Sequence, residues 1–114
     1  MAYQLKSLAI NDQITGTAFG SADVLYTATN VTAQIDMATA YNNDGSAVII
    51  TVFILDSGQS AAADNEITNV SVPAGDSVIL TELIGHKVPS GGTIEAFAGT
   101  TNVIRVTISG GEQI

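Results

Sequence analysis

The chain has no cysteine and no tryptophan, and its 114 residues include one histidine and three basic residues. The lack of cysteine excludes disulfides, thiol nucleophiles and cysteine-ligated metal sites. No apolar run approaches the roughly 20 residues of a membrane span. The first ten residues also lack the pattern of a cleavable signal peptide. We therefore expect synthesis in a host cytoplasm and no membrane partner.

Charged residues of either sign are scarce, and basic residues are especially few. Eleven acidic residues face only Lys6, Lys87 and Arg105, which gives a formal net charge of −8, and charged residues make up 12% of the chain. Nucleic acid is an unsuitable partner because it requires clustered lysine and arginine. A surface rich in uncharged residues favours contact with other proteins, since the cores of protein interfaces are depleted of charge.

Apolar residues recur with a period of two in short segments that end at glycine, proline, asparagine or aspartate. Seven to nine such segments, about ten residues apart, indicate an all-β fold. We predict one antiparallel β-sandwich domain over residues 1–114, either jelly-roll-like or immunoglobulin-like. Residues 1–12 are expected to form an extended N-terminal arm, and residues 110–114 a tail.

The most regular segments predict how the sandwich is built. In residues 31–41, alternation places Ile35, Met37 and Tyr41 on one side. The Asp44-Gly45 pair is a hairpin signal and predicts that this segment pairs antiparallel with residues 47–55. Two segments with clear alternation supply the predicted core: Val48, Ile50, Val52, Ile54, Ile104, Val106 and Ile108.

Residues 47–55 are apolar on both sides of the predicted strand, with Thr51 the only polar member. The core between the two sheets covers one side, so a second cover is needed for the other. One hypothesis is that Ile49, Phe53 and Leu55 form an interface with another subunit. The alternative is that the loop 59–65 or the N-terminal arm folds over them.

Residues that could carry chemistry are few. His86 lies in a Gly-His-Lys turn without a recognisable partner, and a loop histidine of this kind usually has a structural role. Residues 56–66 contain acids that could offer oxygen ligands to calcium, but their spacing matches no EF-hand. We expect no catalytic residue, no cofactor and no metal site, and therefore no enzymatic activity.

From about residue 38 onward, the order of features resembles that of small β-sandwich virion proteins of tailed bacteriophages. This group includes capsid decoration (cement) proteins and head or neck accessory proteins. The similar segments are "AVIITVFILDSG", "VSVPAGDSVILTELIGHKVPSGGTIEAFAG" and "VIRVTISGGEQI". The resemblance covers about two thirds of the chain and carries no catalytic motif.

The resemblance implies a non-enzymatic structural protein on the exterior of a phage capsid, most specifically a decoration protein that stabilises the assembled shell. Its expected partners are the major capsid protein or other virion proteins, and further copies of itself in a homo-oligomer, with a trimer favoured. A neck, tail or fibre component is an alternative. A carbohydrate-binding module is the alternative from another class, with Tyr26, Tyr41 or Phe97 stacking on sugar.

Overall fold

The computed structural model describes residues 2–114 and has nine β-strands in two sheets, so the prediction of an all-β antiparallel sandwich is confirmed. Three short 3-10 helices lie between strands, at Phe19–Ser21, Ala63–Asn65 and Thr81–Leu83. Among the described residues, no helix is long and apolar enough to cross a membrane. The strands are β1 (Tyr3–Gln13), β2 (Asp23–Thr27), β3 (Thr32–Asn42), β4 (Val48–Leu55), β5 (Thr68–Val72), β6 (Ser77–Ile79), β7 (Lys87–Val88), β8 (Thr93–Ala98) and β9 (Ile104–Gln113).

All strand pairs are antiparallel. The five-stranded sheet has the order β1-β9-β3-β6, with the short β7 also paired to β3, and the four-stranded sheet has the order β2-β8-β4-β5. Residues 3–13 are therefore not a free arm, because they form β1 along one side of β9. The expected tail is also wrong, since β9 continues through residues 110–113 between β1 and β3.

The core lies between the sheets and is built by the period-two segments. Six of the seven predicted core residues are buried, and Ile54 is partly buried against them. Across the four-stranded sheet, Ile50 pairs with Ala98 and Val52 with Ala96. The small alanines leave room for the branched side chains of β4, as expected for a densely packed interior.

The predicted pairing of residues 31–41 with 47–55 is wrong, because β3 and β4 belong to different sheets. The connection crosses the sandwich at Asn42, whose side chain is fully buried. Its amide nitrogen donates to the carbonyl oxygens of Ser46 at 2.9 Å and Val72 at 3.0 Å, and its oxygen accepts the backbone N–H of Asp44 at 2.8 Å. These hydrogen bonds satisfy the buried polar atoms of the Asn42 side chain at this corner, and a tight hairpin would have no such corner.

The predicted alternation of β3 also fails in its second half. The pairing with β9 shifts between Ile35 and Met37, so Asp36 is an extra residue and forms a β-bulge. A bulge exchanges the two sides of a strand for every residue beyond it. Consequently Ala38 and Ala40 point into the core, whereas Met37 and Tyr41 are exposed.

Candidate binding surfaces

The outer row of β4 divides into a covered part and an open part. Ile49 is 48% exposed, whereas Phe53 and Leu55 have no exposed surface. The prediction that all three residues form an interface is therefore wrong for Phe53 and Leu55, because the chain itself covers them. Ile49 alone remains accessible to a partner.

Phe53 is covered by an aromatic cluster on the outer side of the four-stranded sheet. The Phe19 ring lies edge-on to Phe97, with 5.1 Å between ring centroids, and to Phe53, with 6.0 Å. Such edge-to-face pairs are a favoured aromatic geometry. The cover of Phe53 thus includes the segment between β1 and β2, which carries Phe19. The ring does not come from the loop 59–65 or the N-terminal arm, although the 3-10 helix Ala63–Asn65 of that loop also contacts β4.

The loop before β2 is shaped so that Phe19 reaches this position. The Asp23 carboxylate accepts hydrogen bonds from the backbone N–H of Thr15 at 2.6 Å and of Gly16 at 3.2 Å. A Cβ at Gly16 would lie 1.8 Å from the carbonyl oxygen of Ser21, so only glycine fits. The sequence signal for this arrangement is the combination of Gly16 with the following Asp23, which periodicity does not detect.

The outer side of the five-stranded sheet is open and carries large apolar side chains. We call this surface the five-strand face, and the register places Thr39 and Thr107 at its centre. Threonine and serine separate the apolar side chains, as in the pair Ser7 and Ser109. The exposed apolar residues that define the face are Tyr3, Leu5, Met37, Tyr41 and Ile79.

Among residues 2–114, the register places three charged side chains on this face: Asp36, Lys87 and Arg105. The Asp36 carboxylate accepts hydrogen bonds from Tyr3 Oη at 3.3 Å and Gln34 Nε2 at 3.2 Å. These contacts hold it over the outer side of the sheet. A shallow groove of about 450 Å³ lies next to it. The face is thus close to neutral in a protein whose net charge is −8.

Arg105 lies at the other end of the face and is held by β1. Its guanidinium donates to the carbonyl oxygen of Asn11 at 3.2 Å and to Gln13 Oε1 at 2.8 Å. A guanidinium has five N–H donors, so further donors remain for a carboxylate. In the described part of the chain, no acidic side chain lies within ion-pair distance of Arg105. The ion pair found among these residues joins Lys6 and Glu112.

A polar network closes the end of the sandwich where β9 finishes. The hydroxyl of the buried Tyr26 donates to Glu112, and Lys6 Nζ lies 3.2 Å from the same carboxylate. Burial raises the pKa of Tyr26 above its usual range, and Glu112 adds to the effect. The hydrogen bond from Tyr26 and, to a smaller extent, Lys6 lower the pKa of Glu112. The network ties β2 of one sheet to β9 of the other.

The three aromatic residues considered for sugar binding do not share a surface. Tyr26 is buried in the network just described, and Phe97 is half-buried in the aromatic cluster. Tyr41 is 45% exposed but lies on the five-strand face, on the opposite side of the sandwich from Phe97. These residues therefore do not form a stacking platform together.

The residues considered for catalysis or metal binding instead form hydrogen bonds to the backbone in turns and loops. The carbonyl oxygen of the exposed His86 accepts the backbone N–H of Ile35 at 2.9 Å. In the 56–66 region, Asp56 Oδ1 accepts the N–H of Ser57, and Asn65 Oδ1 accepts the N–H of Ala62. Within residues 2–114, no group of three or more histidine, aspartate or glutamate side chains could hold a metal ion. The calcium hypothesis gains no support from this geometry.

No family model, curated protein or solved structure matches this chain. The relation to phage virion proteins is therefore a resemblance in the sequence alone.

Proposed function

We propose that this chain is a non-enzymatic structural protein of a bacteriophage particle, most specifically a capsid decoration protein that binds the assembled shell. One observation carries the proposal: the apolar surface lies on the two outer sides of the sandwich and not in a cleft. Of eleven exposed large apolar side chains among the described residues, five lie on the five-strand face. Three more lie over the four-stranded sheet: Phe19, Val24 and Ile49.

Exposed large apolar side chains that are grouped on one side of a sheet favour contacts with other proteins. A protein with such surface on two opposite sides can touch two neighbours at once, which is what a protein that reinforces a shell must do. Apolar burial contributes about 25 cal/mol per Å², and part of that gain offsets the entropy lost on association. Small contacts are sufficient when they repeat over many copies.

The shell contact is assigned to the side of the four-stranded sheet around Ile49. Ile49 pairs with the small Ser71, so its side chain projects from the sheet next to the aromatic cluster. The described acidic side chain on this outer side is Glu95, which accepts a hydrogen bond from Thr93 at 2.9 Å. An apolar anchor with little charge around it is typical of the centre of an interface.

The test is co-expression with the major capsid protein encoded nearest to this gene, followed by sedimentation of the assembled shells. The unmodified chain should sediment with the shells, and Ile49→Ser should reduce the bound amount by about tenfold. Ile84→Ser is the matched control, because Ile84 is 40% exposed but lies outside the strands, directly after the 3-10 helix Thr81–Leu83. A chain that stays in the supernatant, or equal binding by the two variants, would contradict the proposal.

A further inference from the structure

We infer that the five-strand face binds a second copy of this chain, with the two sheets stacked face to face around a two-fold axis. The inference rests on the proposed structural function and names one partner and the surface that receives it. The axis would run across the strands, along the row formed by Ile79, Thr39 and Thr107, which are direct neighbours in the sheet.

The charged residues of the five-strand face are arranged so that two copies can complement each other. Asp36 lies beside Met37, which pairs with Ser109, and Arg105 is four residues further along β9. Along β9, the backbone positions of Arg105 and Ser109 are therefore about 13 Å apart, at about 3.3 Å per residue. The row that contains Thr39 and Thr107 lies midway between them. A two-fold axis along this row places Arg105 of each copy over Ser109 of the other, one strand spacing of about 4.8 Å from Asp36 and within reach of the long arginine side chain.

The apolar side chains follow the same symmetry. On β3, Met37 and Tyr41 lie at equal distances on either side of Thr39. The axis brings Met37 of one copy onto Tyr41 of the other. Ile79 pairs with Thr39 and lies on the axis, so that it contacts Ile79 of the other copy. Thr39 and Thr107 are short and half-buried, which lets the longer side chains on either side interdigitate.

Both charged groups have free bonding capacity for this contact. Asp36 accepts two hydrogen bonds, and a carboxylate can accept about four. Arg105 donates to Asn11 and Gln13 and keeps further donors. Pairing across the interface would therefore not require either residue to give up its existing partners.

The overall charge and the area also fit a second copy. Two chains of net charge −8 repel each other unless they meet where acids are few, and Asp36 is the one acid that the register of the described residues places here. The long strands β1, β9 and β3, with the short β6 and β7 beside them, give a face of about 600 Å² at about 3.3 Å per residue and about 4.8 Å between strands, which is the lower end for a specific interface. A standard interface buries about 800 Å² on each partner.

The test is sedimentation equilibrium of the purified chain over a range of concentrations. The unmodified protein should reach twice its chain mass of 11.6 kDa. Asp36→Arg or Arg105→Asp alone should raise the dissociation constant of the dimer by about tenfold or more. Each substitution creates two pairs of like charges across the interface, because the two-fold axis repeats every contact. The double variant should recover the association, since it exchanges the two charges and restores the pairs.

A second pair of variants keeps the test independent of Arg105, which also contacts β1. Ile79→Ser should weaken association strongly, whereas Ile84→Ser should leave it unchanged, and both proteins should keep the thermal melt of a folded protein. A monomer at every concentration, a trimer, or a double charge exchange that restores nothing would overturn the inference. A monomer that still binds shells would overturn the pairing alone, whereas a dimer that ignores shells would contradict the proposed function.

Discussion

At the scale of single residues, Phe53 shows how a small sandwich covers a strand that is apolar on both sides. The strand β4 contributes Ile50 and Val52 to the core and Phe53 to the outer side, and all three are fully buried. The cover comes from Phe19 and Phe97 within the same chain. Burial of Phe53 therefore contributes to the stability of the free protein and not to an interface.

The substitution Phe53→Ala tests this assignment. Removing a buried phenylalanine side chain costs about 3–5 kcal/mol, so the melting temperature should fall sharply while the oligomeric state stays the same. Ile49→Ala is the matched control on the same strand and the same side, and its half-exposed side chain should make it much less destabilising. A stable Phe53→Ala protein with an altered mass would mean that Phe53 belongs to an interface after all.

Glu112 provides a pH-dependent contribution to stability at the end of the sandwich. Its pKa lies below the ordinary value of 4.5, first because Tyr26 donates to it and second because Lys6 lies nearby. A lowered pKa in the folded state stabilises the protein above the unfolded pKa, and this stabilisation is lost as the pH falls through the folded pKa. The loss should thus occur below about pH 4.5.

Thermal melts of Glu112→Gln across this range check the sign. At about pH 7 the variant should melt below the unmodified protein, and the difference should shrink as the pH falls below about 4.5. Tyr26→Phe removes the main donor and should also reduce the acid dependence. If Glu112→Gln melted like the unmodified protein at every pH, the carboxylate would have no role in joining the two sheets.

At the scale of elements, the bulge in β3 decides which side chains the five-strand face exposes. Asp36 is the extra residue, and without it Met37 and Tyr41 could not lie on the opposite side from Ile35. The bulge therefore serves two purposes, since it fills the core with the alanines of β3 and presents larger side chains outside. One residue determines both.

Deleting Asp36 should abolish cooperative folding. The deletion forces either Ile35 and Ala33 out of the core or Met37 and Tyr41 into it, because side chains alternate strictly along a strand. Asp36→Ala keeps the extra residue and should fold with nearly unchanged stability, as circular dichroism melts would show. A folded, cooperative deletion variant would refute the importance of the bulge for the side exchange.

The strands also show which parts of the fold could be predicted from the sequence. The core residues of β4 and β9 follow from simple alternation along the sequence. The hairpin failed because five residues separate β3 from β4, which leaves room to cross between sheets, whereas a two-residue loop would not. The bulge could not be predicted, because its position depends on the pairing with β9.

The candidate surface was only partly predictable for a related reason. A sequence shows that β4 is apolar on both sides, but it does not show which distant segment covers the outer side. Phe19 is 34 positions from Phe53 and lies outside any strand. Ile49 was identified from the sequence and is exposed, whereas the five-strand face arises from strands distant in sequence and from the bulge.

At the scale of the whole molecule, the protein is a narrow body of 46 × 26 × 19 Å with apolar surface on both broad sides. Its acids lie mainly in turns and at strand ends, for example Asp44, Asp56 and Asp76, which leaves the two broad sides nearly uncharged. The charges at the periphery favour solubility of the protein, and the two broad sides stay available for contacts with other proteins. It is the arrangement expected of a subunit that joins others.

The measurement that tests this account most directly is the number of copies that bind to one shell. The purified chain would be titrated against shells assembled from the major capsid protein encoded nearest to its gene, and the bound fraction counted after sedimentation. A protein that reinforces the shell should saturate it at a fixed ratio of this chain to capsid subunits. Binding that never saturates, or no binding at all, would contradict a structural role on the shell.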